Sequence, residues 1–159
     1  MLWGGRAGWK GFAAAWLAAA GLFAADPTWY LTAQTYSLHE HTSETYLHNT
    51  TPGVGVIRRH DNWLEGAGVF RNSIGRWAGY GYVGWQYPFA ATRIGPLRGG
   101  AIAGATHHYF WNDGGIVPLA AGVLTIPIMR SVTVDLVGIP RIKQATYATL
   151  NLSLSWQFK

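Results

Sequence analysis

Three kinds of side chain in this chain have the chemistry to move a group. His39 carries an imidazole that can take a proton near neutral pH, and Ser73 carries a hydroxyl. A serine hydroxyl is a weak nucleophile until a base within hydrogen-bond reach removes its proton, and histidine is the usual base. Asn72, the residue before Ser73, can orient a neighbour or donate a hydrogen bond to an oxyanion. His39-x-His41 with His107 or His108 forms a second constellation, because imidazole suits zinc and copper. On strands, however, His107 and His108 point to opposite faces, so at most three of the four converge, and no metal or other cofactor is expected. Glu65 and Asp135 are read as lumenal carboxylates paired with Arg58 or Arg71, serving as structural filling.

The elements that must position these residues are strands. From Ala145 the sequence runs ATYATLNLSLSWQFK, placing Leu150, Leu152, Leu154, Trp156 and Phe158 on one parity. Thr149, Asn151, Ser153, Ser155 and Gln157 take the other, which is the period of a strand with one apolar and one polar face. Arg130 to Ile139 alternates in the same way, and 62–73 and 77–89 carry runs rich in Gly and aromatics. Turn signals recur at Thr51-Pro52-Gly53, His60-Asp61-Asn62, Asn112-Asp113-Gly114-Gly115 and Gly138-Ile139-Pro140. Together they divide the chain into eight expected strands, near 29–41, 52–60, 62–72, 76–88, 97–109, 116–125, 130–139 and 145–158.

Composition narrows the class. Charged residues are only 12% of the 159, about half the usual globular share, while aromatics reach 14% and glycines number 21. That balance excludes a disordered chain and argues against an ordinary soluble enzyme. With no cysteine, disulfide scaffolds and thiolate catalysis are out. The net charge of +5 includes Arg6 and Lys10 and is otherwise spread thinly, so nucleic acid is not the expected partner. Residues 1–25 read as a secretory signal peptide, with Arg6 and Lys10 ahead of the apolar run Gly11 to Ala24 and cleavage near Ala24 or Ala25.

Eight strands of membrane-crossing length behind an export signal predict an all-β, eight-stranded antiparallel transmembrane barrel over 26–159, located in the cell outer membrane. With both termini at the periplasmic end, strands 1, 3 and 5 bring His39 and His41, Asn72 and Ser73, and His107 and His108 to one rim.

At these residues the chain resembles the PagP-type lipid A palmitoyltransferases. Phe70-Arg71-Asn72-Ser73 is similar to that family's Phe-Lys-Asp-Ser segment, and Trp77-Ala78-Gly79-Tyr80-Gly81-Tyr82 to its Ala-Gly-Tyr-Gly-Trp strand. Trp111-Asn112 with Val117-Pro118-Leu119, then Ile139-Pro140 and Trp156-Gln157-Phe158, resemble its later hairpins, and His39 in Tyr36-Ser37-Leu38-His39 matches its histidine, with His41 as the other option. The chain departs from the family where Asn72 replaces the aspartate, and its mature part leaves little room for the family's amphipathic helix.

The resemblance implies an outer-membrane acyltransferase that moves an acyl chain from a phospholipid donor to a lipid A acceptor, working as a monomer. His39 and Ser73 would be essential and Asn72 would assist. Small residues from Gly99 to Ala105 would leave an apolar slot for the acyl chain, and Pro88, Pro118 and Pro127 would mark gaps for lateral lipid access or simply end strands. The alternative is a non-enzymatic small barrel with a structural or surface-interaction role, whose lumen is plugged and whose rim forms no Ser–His contact.

Overall fold

The computed structural model describes residues 26–40, 47–107, 115–141 and 148–158. The proposed signal peptide and its cleavage site, His41, His108 and Trp111-Asn112 lie outside them. The described residues form eight strands and no helix: β1 (Thr28–His39), β2 (Thr50–His60), β3 (Trp63–Arg71), β4 (Trp77–Ala91), β5 (Pro96–His107), β6 (Ile116–Met129), β7 (Val132–Ile139) and β8 (Thr149–Phe158). Each strand pairs antiparallel with its sequence neighbour, and β1 pairs with β8 to close the barrel. Closure removes the two free edges that an open sheet of this length would leave.

The expected strands are all present, with shifted ends. Thr51-Pro52-Gly53 was expected as a turn but lies within β2. Pro52 is tolerated there because the β1–β2 register slips beside it, between Gln34↔Gly53 and Tyr36↔Thr50. β4 and β6 likewise continue past Pro88 and Pro127, each with a register shift just after the proline. A proline has no ladder N–H to give, and a bulge absorbs the missing bond.

The two ends of the barrel differ. At one end the connections are short, at 61–62, 92–95 and 130–131; at the other they span 40–49, 72–76, 108–115 and 140–148. Asp61 adopts φ 51 in the first tight turn, a left-handed conformation that Asp tolerates better than most side chains.

Strand parity sorts the side chains. On β8, Leu150, Leu152 and Trp156 are exposed on the outer face while Ser155 is buried, as the alternation predicts. Leu64, Ile102, Ala121 and Val123 form the buried apolar layer inside, with Tyr82 and Val137 packed on it. Tyr80 and Tyr82 stack at 6.0 Å and lie across the glycines of β3. A Cβ on Gly66 would fall 2.2 Å from the Tyr82 ring, so the aromatic occupies the space that the missing side chain vacates. The small residues of β5 divide differently from expectation. Ala101, Ala103 and Ala105 take the outward parity, and β5 gives the interior cavity only Ile102 and Thr106.

Candidate functional site

A cavity of about 160 Å³ occupies the barrel interior. Its middle is apolar, walled by Ile57, Leu64, Phe70, Tyr80, Tyr82, Ile102, Val123 and Val137. Toward the end with the longer loops His39, Ser73, Thr149 and Asn151 join a lining that also includes Leu47, Ile74, Leu119 and Ile139; toward the other end it meets Arg59 and Asp135.

His39 reaches this cavity through an irregularity in β1. Up to Gln34 the lining residues are even-numbered, Thr32 and Gln34; beyond it they are Ser37 and His39. Between Gln34 and Tyr36 the register shifts against both β2 and β8. The extra residue inverts the parity, so that Tyr36 and Leu38 are exposed and His39 turns inward. A regular strand would have placed the imidazole on the outer face. Nδ1 of His39 lies 3.1 Å from Thr149 Oγ1, while Nε2 is buried with no hydrogen-bond partner among the described residues.

Ser73 is set by the tight loop 72–76. The Asn72 N–H donates to the Arg76 carbonyl at 2.8 Å, and the Gly75 N–H donates to the Asn72 carbonyl at 2.8 Å. Asn72 Oδ1 accepts the Arg76 N–H at 2.9 Å. Gly75 closes the loop at φ 79, where a side chain would be strained. The Ser73 carbonyl accepts the His48 N–H at 2.7 Å, which ties this loop to the end of the β1–β2 connection.

Of the three residues singled out from sequence, His39 and Ser73 line one cavity, and they are not hydrogen-bonded to each other. Asn72 is fully buried, does not line the cavity, and shapes the loop that presents Ser73. An aspartate can accept the same Arg76 N–H. Asn72→Asp is therefore expected to keep the loop. Asn72→Ala should lose about 0.5–1.5 kcal/mol through the lost hydrogen bond to the Arg76 N–H. Denaturant unfolding of the two variants in detergent checks this pair.

No metal site forms among the described residues, none of which gather three His, Asp or Glu side chains. His107 is not poised as a ligand, because its Nε2 accepts the Gly79 N–H at 3.1 Å and so completes the end of the β4–β5 ladder.

The two carboxylates part company. Asp135 lies inside the barrel, as expected, but its partner is Arg59, at 2.7 Å. Glu65 is not lumenal: it takes the outward parity and pairs with Arg58 at 3.4 Å, beside Trp29. Two adjacent arginines on one strand necessarily point to opposite faces, so one carboxylate meets each. Arg71 joins neither; its Nε donates to the Gly75 carbonyl at 3.0 Å.

Searches against protein-family models and curated protein sequences find no match to this chain.

Residues that the sequence did not flag complete the polar mouth. Gln34 Nε2 donates to Thr51 Oγ1 at 3.4 Å, and Thr51 Oγ1 lies 2.7 Å from Ser37 Oγ. Ser37 in turn donates to Asn151 Oδ1. With its proton committed to Asn151, Ser37 is a structural hydroxyl, whereas Ser73 donates to no described residue. The signal for this row was the polar parity of β8, which places Thr149 and Asn151 opposite His39 and Ser37.

Proposed function

We propose that this chain is an outer-membrane barrel that transfers an acyl chain from a phospholipid to lipid A. The observation that carries the reading is a largely apolar chamber inside the barrel whose mouth holds the Ser73 hydroxyl and the His39 imidazole, with Nε2 unpartnered among the described residues. An alkyl chain in such a chamber gains about 0.8 kcal/mol per buried methylene, and its ester carbonyl is left at the mouth.

The chemistry follows from the two groups. As Ser73 Oγ bonds to the carbonyl carbon of the donor ester, His39 Nε2 takes its proton. The proton then passes to the departing lysophospholipid oxygen. In the second half a lipid A hydroxyl attacks the acyl-serine, gives its proton to Nε2, and Ser73 Oγ recovers it on leaving. Apo catalytic pairs are often too far apart to hydrogen-bond and tighten when substrate binds.

Membrane placement is supported by the outer face. Trp63, Trp85, Tyr87, Phe89, Trp156 and Phe158 are exposed toward the short-turn end, and Tyr36 and Trp77 toward the other, in the manner of aromatic girdles. Short turns at one end and longer loops at the other match the periplasmic and external faces of such barrels. Leu152→Arg is expected to cost about 2–4 kcal/mol in a bilayer, because Leu152 sits mid-strand on the outer face. Urea unfolding in lipid vesicles reads this directly, and an unchanged midpoint counts against membrane embedding.

Lateral access has a place in this reading. The β6–β7 register ends at Gly122↔Gly138, so residues 117–121 of β6 have no β7 register partner among the described residues. Pro118 lies in that stretch and lines the cavity. Pro88 and Pro127 sit at bulges near the short-turn end and have the simpler role of easing strand register.

A second reading, a non-enzymatic barrel, is favoured by one observation: His39 and Ser73 make no hydrogen bond to each other. Mass spectrometry of lipid A from cells expressing the chain separates the two, since only the transferase adds acyl mass.

A further inference from the structure

Among the described residues the ring of His39 has one side-chain hydrogen-bond partner, at Nδ1. Nδ1 faces Thr149 Oγ1 at 3.1 Å, across the β1–β8 seam where His39 and Thr149 are register partners. Nε2 is buried with no hydrogen-bond partner among the described residues, and His39 lines the same cavity as Ser73. In a neutral imidazole one nitrogen carries the proton, and the bond made by one nitrogen decides the state of the other. A threonine oxygen can accept an N–H while its own proton goes elsewhere.

We propose that Thr149 is a positioning residue for acyl transfer: its hydroxyl oxygen accepts the His39 Nδ1 proton, which fixes the tautomer and leaves the Nε2 lone pair facing the chamber. This rests on the transferase reading for its catalytic consequence. The work it does is that of the third member of a catalytic triad, in which an orienting group holds the base in the correct tautomer. Here the orienter is neutral, so it aligns the ring without stabilising an imidazolium by charge. The competitor is the backbone of His48, which also approaches the ring. Were it to take the proton from Nε2, the base would be blocked.

The test uses the full chain refolded in zwitterionic detergent micelles with ¹⁵N-labelled histidine, the His39 signal being assigned with His39→Gln. The native protein should show protonated Nδ1 and bare Nε2. Thr149→Ser should keep that pattern, and Thr149→Val, which has the shape without the acceptor, should lose it. With dipalmitoyl phosphatidylcholine as donor and lipid A as acceptor, Thr149→Val should lower kcat about tenfold, the worth of one such hydrogen bond. Its KM should stay within about twofold, and Thr149→Ser should restore kcat, a rescue that a purely structural role would not single out. A protonated Nε2 in an active native protein overturns the inference and leaves the transferase reading standing. Native kcat in Thr149→Val does the same. A native protein that transfers no acyl chain overturns the transferase reading, and the proposed role of Thr149 falls with it. Should Thr149→Val fail to fold, the native tautomer and Thr149→Ser decide.

Discussion

Replacing His39 or Ser73 by alanine is expected to abolish acylation of lipid A, by about 10³-fold or more, while the barrel still folds. Both side chains sit at the cavity mouth, outside the apolar layer formed by Leu64, Ile102 and Val123. A typical single substitution costs about 1 kcal/mol, too little to unfold the barrel, so lost activity would not reflect lost structure. In the proposed transfer the two residues act on one proton, so the double variant should be little worse than either single one. His41→Ala should be nearly silent if His39 is the base. Mass spectrometry of lipid A from cells expressing each variant reads the outcome. If the unmutated protein adds no acyl mass in an envelope that supplies phospholipid, the non-enzymatic barrel is the correct reading.

The largest effect on stability is expected at Asp135. Its Oδ1 accepts from Arg59 Nη2 at 2.7 Å and from Thr125 Oγ1 at 2.5 Å, and its Oδ2 accepts from Ser155 Oγ at 2.6 Å. Gln86 Nε2 donates to the same threonine at 2.8 Å, and the Arg59 guanidinium lies 4.6 Å from the Tyr30 ring centre. This cluster bridges β2, β4, β6, β7 and β8 and fills the lumen below the chamber. Asp135→Ala leaves a buried guanidinium without its counter-charge and is expected to cost about 3–5 kcal/mol. Replacing both charges together, Arg59→Met with Asp135→Leu, should recover most of that loss, since an apolar pair avoids the desolvation of both ions. Urea midpoints of the refolded barrels, compared as a double-mutant cycle, measure the coupling. An Asp135→Ala midpoint equal to the native one would mean that water reaches the cluster and screens it.

Much of the architecture was legible in the residues. The alternation in β8 named its inner and outer faces because a strand's side chains alternate whatever else surrounds it. His60-Asp61-Asn62 announced a tight turn because Asp accepts the left-handed conformation that the turn requires. Patterns of this kind are local, and the number of strands and the sense of each face follow from them. Other readings failed where a neighbouring strand had the deciding role. Thr51-Pro52-Gly53 has the composition of a turn, yet it continues β2 because the register beside β1 slips to accommodate the proline.

The candidate site was legible in part. Residue types pointed to His39 and Ser73, and the barrel brings both to one cavity. Asn72 was read as an assistant to the chemistry, and its hydrogen bonds make it the clasp of the Ser73 loop. Residue types pointed to Arg58 or Arg71 for the two carboxylates and missed Arg59, which meets Asp135. Strand order and parity across the closed barrel decide the pairing, and they send Glu65 to the outer face.

By itself, then, the sequence determined eight alternating strands, their turn chemistry, and a polar face on β8 able to meet a histidine. Only the tertiary structure decided that this histidine faces inward. Strand parity carried along β1 from Thr32 and Gln34 puts His39 outside; the bulge between Gln34 and Tyr36 reverses it. A bulge is one extra residue accommodated by the registers of two neighbouring strands, here β2 and β8, and β8 joins β1 only when the barrel closes. The same closure sets Thr149 against His39 across 110 residues of chain, a contact that no local pattern encodes.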